Sequence, residues 1–186
     1  MFMSRKYYYF LASLPELTFG QKPSMTVAQY LDACESQLHP EDSRAVRAAV
    51  LEEPGAQQGV AAQWCELRHA LKNELAYERA LRAGKDPAKY VRGDHSFDRA
   101  ARDAAVEALN VLDPLEAQRG LDLKAWHYLD GLEGGRQFDA DRAVIYGLKL
   151  TILERHEDIA SARGKAVLAE YMKDERLAAV YAAVNA

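Results

Sequence analysis

Apolar residues recur along most of the chain at spacings of three and four, the signature of helices that bury one stripe. Val27, Tyr30, Leu31 and Cys34 mark a helix that opens at Thr26 and runs to about Leu38. His39-Pro40 interrupts it, because the residue before proline avoids helical geometry. Pro40-Glu41-Asp42 starts the next helix, with acids on its positive end and Val46, Ala49 and Val50 inward, to about Glu53. Pro54-Gly55 stops it. Val60, Trp64, Leu67, Leu71 and Leu75 form one stripe of a long helix from about Val60 to Ala83, with Gly84 as its cap.

A polar stretch containing Pro87 and Gly93, residues 85–95, reads as a connection. Beyond it, Ser96 or Asp98 caps a helix to about Asn110, with Ala101, Ala105, Val106 and Leu109 inward. Asp113-Pro114 opens another helix from Leu115 to about Leu132, with a break expected near Gly120. The longest pattern runs from about Ala140 to Met172 and is apolar on two sides. Ile145, Leu148, Ile152, Ile159 and Ala166 or Val167 form one stripe, and Tyr146, Leu150 and Leu153 the other. Such a helix is expected at the centre, and Gly147 between the stripes would admit a close neighbour. Leu177, Val180 and Tyr181 suggest a short final helix. The aromatic run Tyr7–Leu14, closed by Pro15, is too short for periodicity to decide between helix turn and strand. The expected architecture is therefore all-α: a bundle of about seven helices in two packed subdomains, 1–84 and 96–186, joined by 85–95.

Composition supports this reading. The 186 residues include 32 Ala and 22 Leu against 11 Val, 3 Ile and 3 Thr. That bias favours helices and nearly excludes a β-sandwich or parallel sheet. The net charge of −4 divides unevenly, +1 over residues 1–93 (12 basic, 11 acidic) and −5 over 94–186 (12 basic, 17 acidic). Neither half offers the basic face a phosphate backbone requires, so no nucleic-acid role is expected. Cys34 and Cys65 lack a CxxC spacing and read as reduced thiols of a cytoplasmic protein. No apolar run is long enough to span a membrane. Arg5-Lys6 before the aromatic run only loosely mimics a signal peptide, because no small-x-small site follows.

Chemistry-bearing patterns are sparse. Nucleotide-binding glycine loops, zinc-protease and nucleophile-elbow signatures, EF-hand loops and zinc-finger spacings are all missing from the sequence. Glu66-x-x-His69 has the spacing of one half of a di-iron helical site, but no second Glu-x-x-His accompanies it, so a solvated pair is the simpler reading. His156 could serve as a base with Glu154 or Glu157; the commoner alternative is a histidine hydrogen-bonded to a packing neighbour. Cys65 with His69 one turn on lacks an orienting third group. The run Glu154–Asp158 reads as a charged face with local ion pairs. Trp126, His127 and Tyr128 could form a protein-binding surface, with Trp126 and Leu129 in the core as the favoured alternative. No catalytic, cofactor or metal residue is assigned.

The run Tyr7-Tyr8-Tyr9-Phe10-Leu11-Ala12-Ser13-Leu14-Pro15-Glu16-Leu17 resembles the opening of a family of uncharacterised bacterial proteins encoded alongside V-type ATPase genes. These look like short relatives of the all-helical central-stalk subunit of that ATPase, its socket subunit. Tyr146-Gly147-Leu148-Lys149-Leu150-Thr151-Ile152-Leu153-Glu154-Arg155 is similar to a helical segment late in that family. The two stretches cover 21 of the 186 residues. The resemblance implies a helical fold related to the lobes of the socket subunit and a non-catalytic role in the cytoplasm, peripheral to the membrane. The implied partners are V-type ATPase subunits of the stalk or membrane ring. The full-length socket protein joins the rotating shaft to that ring, but it has three lobes and nearly twice this length, which leaves a stalk-associated or assembly role open. The readings from a different class are a small helical enzyme or metal protein using Glu66/His69 or His156, and a regulatory homodimer burying part of the two-sided helix.

Overall fold

At Thr26, His39, Asp98 and Asp113 a side chain satisfies an orphan backbone donor and a helix begins. A computed structural model describes residues 5–53, 58–93 and 98–160 and the single positions 166 and 170. These hold α1 (Tyr8–Ser13), α2 (Val27–Gln37), α3 (Pro40–Val50), α4 (Gly59–Arg82), α5 (Arg99–Asn110), α6 (Pro114–Leu132) and α7 (Ala140–Ala160), with a 3-10 turn at Pro87–Lys89 and no strand among the described residues. Thr26 and Gln29 form a reciprocal capping box on α2, with the Thr26 hydroxyl accepting from the Gln29 N–H at 3.2 Å and the Gln29 side chain accepting from the Thr26 N–H at 2.9 Å. Asp98 caps α5 and Asp113 caps α6, the latter with Pro114 at the first position. Gly84, at φ +64, ends α4 as expected.

The aromatic run is helical, so α1 settles what periodicity left open. Its Phe10 is buried and stacks on Tyr30, whose ring in turn contacts Tyr146, with centroids 6.2 and 5.1 Å apart. α3 ends three residues earlier than expected, because Glu52 takes the left-handed conformation at φ +55 and turns the chain out of the helix. The break expected near Gly120 does not occur: α6 is continuous through it. Gly120 is exposed, and a Cβ there would meet nothing within 4 Å. Gly120→Ala should therefore raise stability by about 0.5–1 kcal/mol, the helix-propensity gain with no opposing clash. Denaturant unfolding checks this, and an unchanged or lower midpoint would count against it.

α7 is the central element. Ile145, Leu148, Leu150, Ile152 and Leu153 are all buried, covering both stripes, by contacts with α2, α3, α4 and α6. Ile159 departs from the expected stripe and is 39% exposed, because it lies beyond the packed neighbours at the end of the described helix. The expected continuation to Met172 and the final helix at Leu177, Val180 and Tyr181 fall outside the described residues. Gly147 sits where α7 meets α2 and α3. A Cβ at this position would overlap the Val50 side chain and lie 2.9 Å from the Tyr30 ring.

One apolar cluster takes residues from α1, α2, α3, the start of α4, α6 and α7, and so from both sides of residues 85–95. α5 packs instead on the second half of α4. Its small face, Ala101, Ala104 and Ala105, permits close approach. Here the sequence reading of α4 differs from the structure. Leu67, Leu71 and Leu75 are only half-buried, whereas Asn73, Glu74 and Glu78 are buried. Arg102 of α5 meets Glu78 at 2.9 Å, and Arg82 reaches the C-terminal end of α5 through Leu109 O and Asn110 Oδ1. A polar seam thus replaces the expected continuation of the leucine stripe.

Candidate functional site

α7 buries its aliphatic residues, and its polar residues therefore emerge at the two edges where neighbouring elements end. The first edge faces the N-terminal segment. Tyr146 donates its hydroxyl proton to Pro15 O at 2.9 Å, and burial pushes that hydroxyl up to about 12. One helical turn on, the buried Lys149 places Nζ 2.5 Å from Asp130 and 2.6 Å from Glu133, and 5.0 Å from the centroid of the Trp126 ring. Arg142 also pairs with Glu133. Burial alone would raise the Glu133 carboxyl, but hydrogen bonds from Arg142 and Lys149 hold it below the ordinary glutamate range. The result is a groove of about 260 Å³ whose walls include Leu14, Pro15, Glu16, Tyr146 and Lys149. The charges there are matched between the end of α6 and α7, and the Tyr146–Pro15 hydrogen bond seats the N-terminal segment beside them.

The second edge carries His156. Its Nε2 lies 2.8 Å from Asp122 Oδ2 on α6, and the carboxylate accepts the ring N–H. Asp122 is 4% exposed. It is held further by Arg155 and by the Gln118 side-chain amide at 2.9 Å. Phe19 closes edge-on against both the His156 ring and Trp126, at 5.4 and 5.6 Å. His156 thus follows the packing alternative, bonded to a neighbour, but the neighbour is neither Glu154 nor Glu157. Glu154 instead accepts the Val27 N–H at 3.2 Å, at the start of α2. Arg155 likewise reaches across to α6, so these two charges of the run 154–158 bridge elements where local pairing was expected. No serine, threonine or cysteine hydrogen-bonds to His156 among the described residues.

Sequence inspection missed Asp122. Its signal is positional: Asp122, Ala125, Trp126 and Leu129 follow i, i+3, i+4, i+7 and are all buried, so the aspartate occupies the inward stripe of α6. An acid in that register needs partners, and α7 supplies two of them.

Glu66 and His69 are both exposed on α4. His69 Nε2 accepts from the Asn73 amide at 3.0 Å, and Asn73 bridges the Arg92 backbone at 2.9 and 3.0 Å. That arrangement pins the loop after the 3-10 turn to α4. His69 and His156 line different clefts, and Glu66 lines neither. Cys65 is exposed and shares a cleft with His69, yet no hydrogen bond joins them among the described residues. Cys34 is buried, and burial pushes its thiol up to about 11. Among the described residues no three His, Cys, Asp or Glu side chains converge as a metal site would require, and no helix is long and apolar enough to cross a membrane. Trp126 and Leu129 are core; of the expected aromatic surface His127 is exposed and Tyr128 half-buried.

An apolar surface lies instead at the corner between α5 and α6. Leu112 is 100% exposed, with Val111 and Leu115 open beside it. The chain matches no family model, no curated protein and no solved structure.

Proposed function

We propose that the protein is a non-enzymatic subunit or accessory factor of a bacterial V-type ATPase, with a role at the central stalk like that of the socket subunit. The observation that carries this reading is a contact. The two stretches that resemble the ATPase-associated family, 7–17 and 146–155, pack against each other through the Tyr146–Pro15 hydrogen bond and the Phe10–Tyr30–Tyr146 aromatic row. Residues far apart in sequence that share a likeness and also share a seat behave as one folded feature. Together they supply most of the groove around Tyr146 and Lys149.

The surface suits a docked protein. A fully exposed leucine flanked by two more open aliphatic residues loses apolar hydration when a partner covers it. Central apolar anchors hold such complexes, while rim charges set association rate and salt dependence. The acidic second half gives a field that steers a basic partner. A stable interface would bury about 1,200–2,000 Å² in total. The protein would then reside in the cytoplasm, reaching the membrane only through the ATPase.

Affinity purification of the tagged protein from its native cells tests this. V-type ATPase subunits should co-purify at low salt and fall away at high salt. Recovery of the protein alone, from cells that contain the assembled ATPase, would overturn the reading.

A further inference from the structure

We propose that the cleft between the Gly20–Gln21 turn, the first turns of α6 and the end of α7 binds a free apolar α-amino acid of about leucine size. The cleft is separate from the groove and does not depend on the ATPase reading. It holds about 190 Å³, small beside the usual ligand pocket and suited to one small molecule. Three kinds of group line it.

The first is a cation paired with no described residue. Arg119 makes no ion pair or hydrogen bond among the described residues, and its guanidinium rests against the turn at Gly20, 3.0 Å from where a Cβ would be. A guanidinium presented in this way is a natural receiver for a planar carboxylate, which it can hold through two parallel N–H bonds. The second is a pair of acids, Glu116 and Glu157, which also make no ion pair or hydrogen bond among the described residues. Opposite charges that share a cleft without closing on each other leave room for a ligand carrying both signs. An α-amino acid does so, with its carboxylate toward Arg119 and its ammonium toward a glutamate. The third is an apolar wall, Leu115, Leu153 and Ile159, of which Leu115 and Ile159 are open to water. An aliphatic side chain would cover them.

His156 gives the cleft a rigid floor. Asp122 occupies its Nε2, Phe19 packs on its ring, and its Nδ1 has no partner among the described residues. The ring is therefore oriented before any ligand arrives, which lowers the ordering cost of binding.

The test is a titration of the full chain with L-leucine, followed through the His156 ring signals by NMR. Saturable shifts are expected, with N-acetyl-leucine and leucinamide, each lacking one charge, binding at least about tenfold more weakly. Arg119→Gln, an exposed change that should leave the fold intact, should weaken leucine by about tenfold or more, while Arg99→Gln on α5 should not. Absence of saturable shifts would overturn the proposal. So would leucine binding that is indifferent to Arg119→Gln, or N-acetyl-leucine binding as tightly as leucine.

Discussion

Gly147→Ala should destabilise the protein by about 1–3 kcal/mol, although alanine is the better helix former. Helix propensity alone would favour the change by up to about 1 kcal/mol. The added methyl, however, would enter space held by Val50 and lie 2.9 Å from Tyr30, a rigid ring that is itself fully buried and hydrogen-bonded to Ala143 O at 2.6 Å. Tyr30 cannot retreat without disturbing the Phe10–Tyr30–Tyr146 row, and Val50 is itself buried. The same substitution is thus expected to have opposite signs at Gly120 and Gly147, a contrast in which composition and propensity cancel and packing alone remains. Adding Val50→Ala to the Gly147→Ala chain should recover part of the loss, because these sites share a contact and their effects do not add. A Gly147→Ala protein with an unfolding midpoint at or above the wild type would contradict the close crossing of α2, α3 and α7.

Ile152→Ala should cost about 2–4 kcal/mol. The side chain is 4% exposed on the face of α7 that meets α4 and α6. Truncation removes apolar area from the core and leaves a void whose walls are held by three helices, so collapse around it is incomplete. Ile159→Ala, later on the same stripe but open to water, should cost less than about 0.5 kcal/mol. Chemical denaturation of both variants checks the pair. Equal effects at the two positions would contradict a packed segment of α7 that ends before Ile159.

The helices were legible because their caps and their stripes agree. Thr26, Pro40 after His39, Asp98 of the pair Ser96 or Asp98, and Asp113 each coincide with an observed start, and Val46, Ala49 and Val50 all turn inward as their spacing predicts. Gly147 was legible as a point of close approach for the same reason, since it lies between two apolar stripes. What failed was local inference about polar residues. Gly120 reads as a break, yet packing of Asp122, Ala125, Trp126 and Leu129 carries the helix through it. His156 draws attention to Glu154 and Glu157, its neighbours in sequence, whereas its partner is 34 residues away on α6. Asn73, Glu74 and Glu78 are buried on α4 beside its leucine stripe, where Asn73 holds the Arg92 backbone and Glu78 meets Arg102 of α5. Burial of charge is decided by which helices meet, and helix order in space is not written in periodicity. Arg119 shows the same gap. On the sequence it is one of many arginines, and only the fold sets it at a cleft with Gly20 and His156.

Docking of this chain on a V-type ATPase, the central claim, is tested most directly at position 112. Leu112 is fully exposed at the tip of the α5–α6 corner, so a photo-reactive residue placed there cannot disturb the core. Irradiation of native cells carrying that protein should yield covalent adducts with V-type ATPase subunits. The absence of any ATPase subunit among the adducts, in cells where the ATPase is assembled, would contradict the claim.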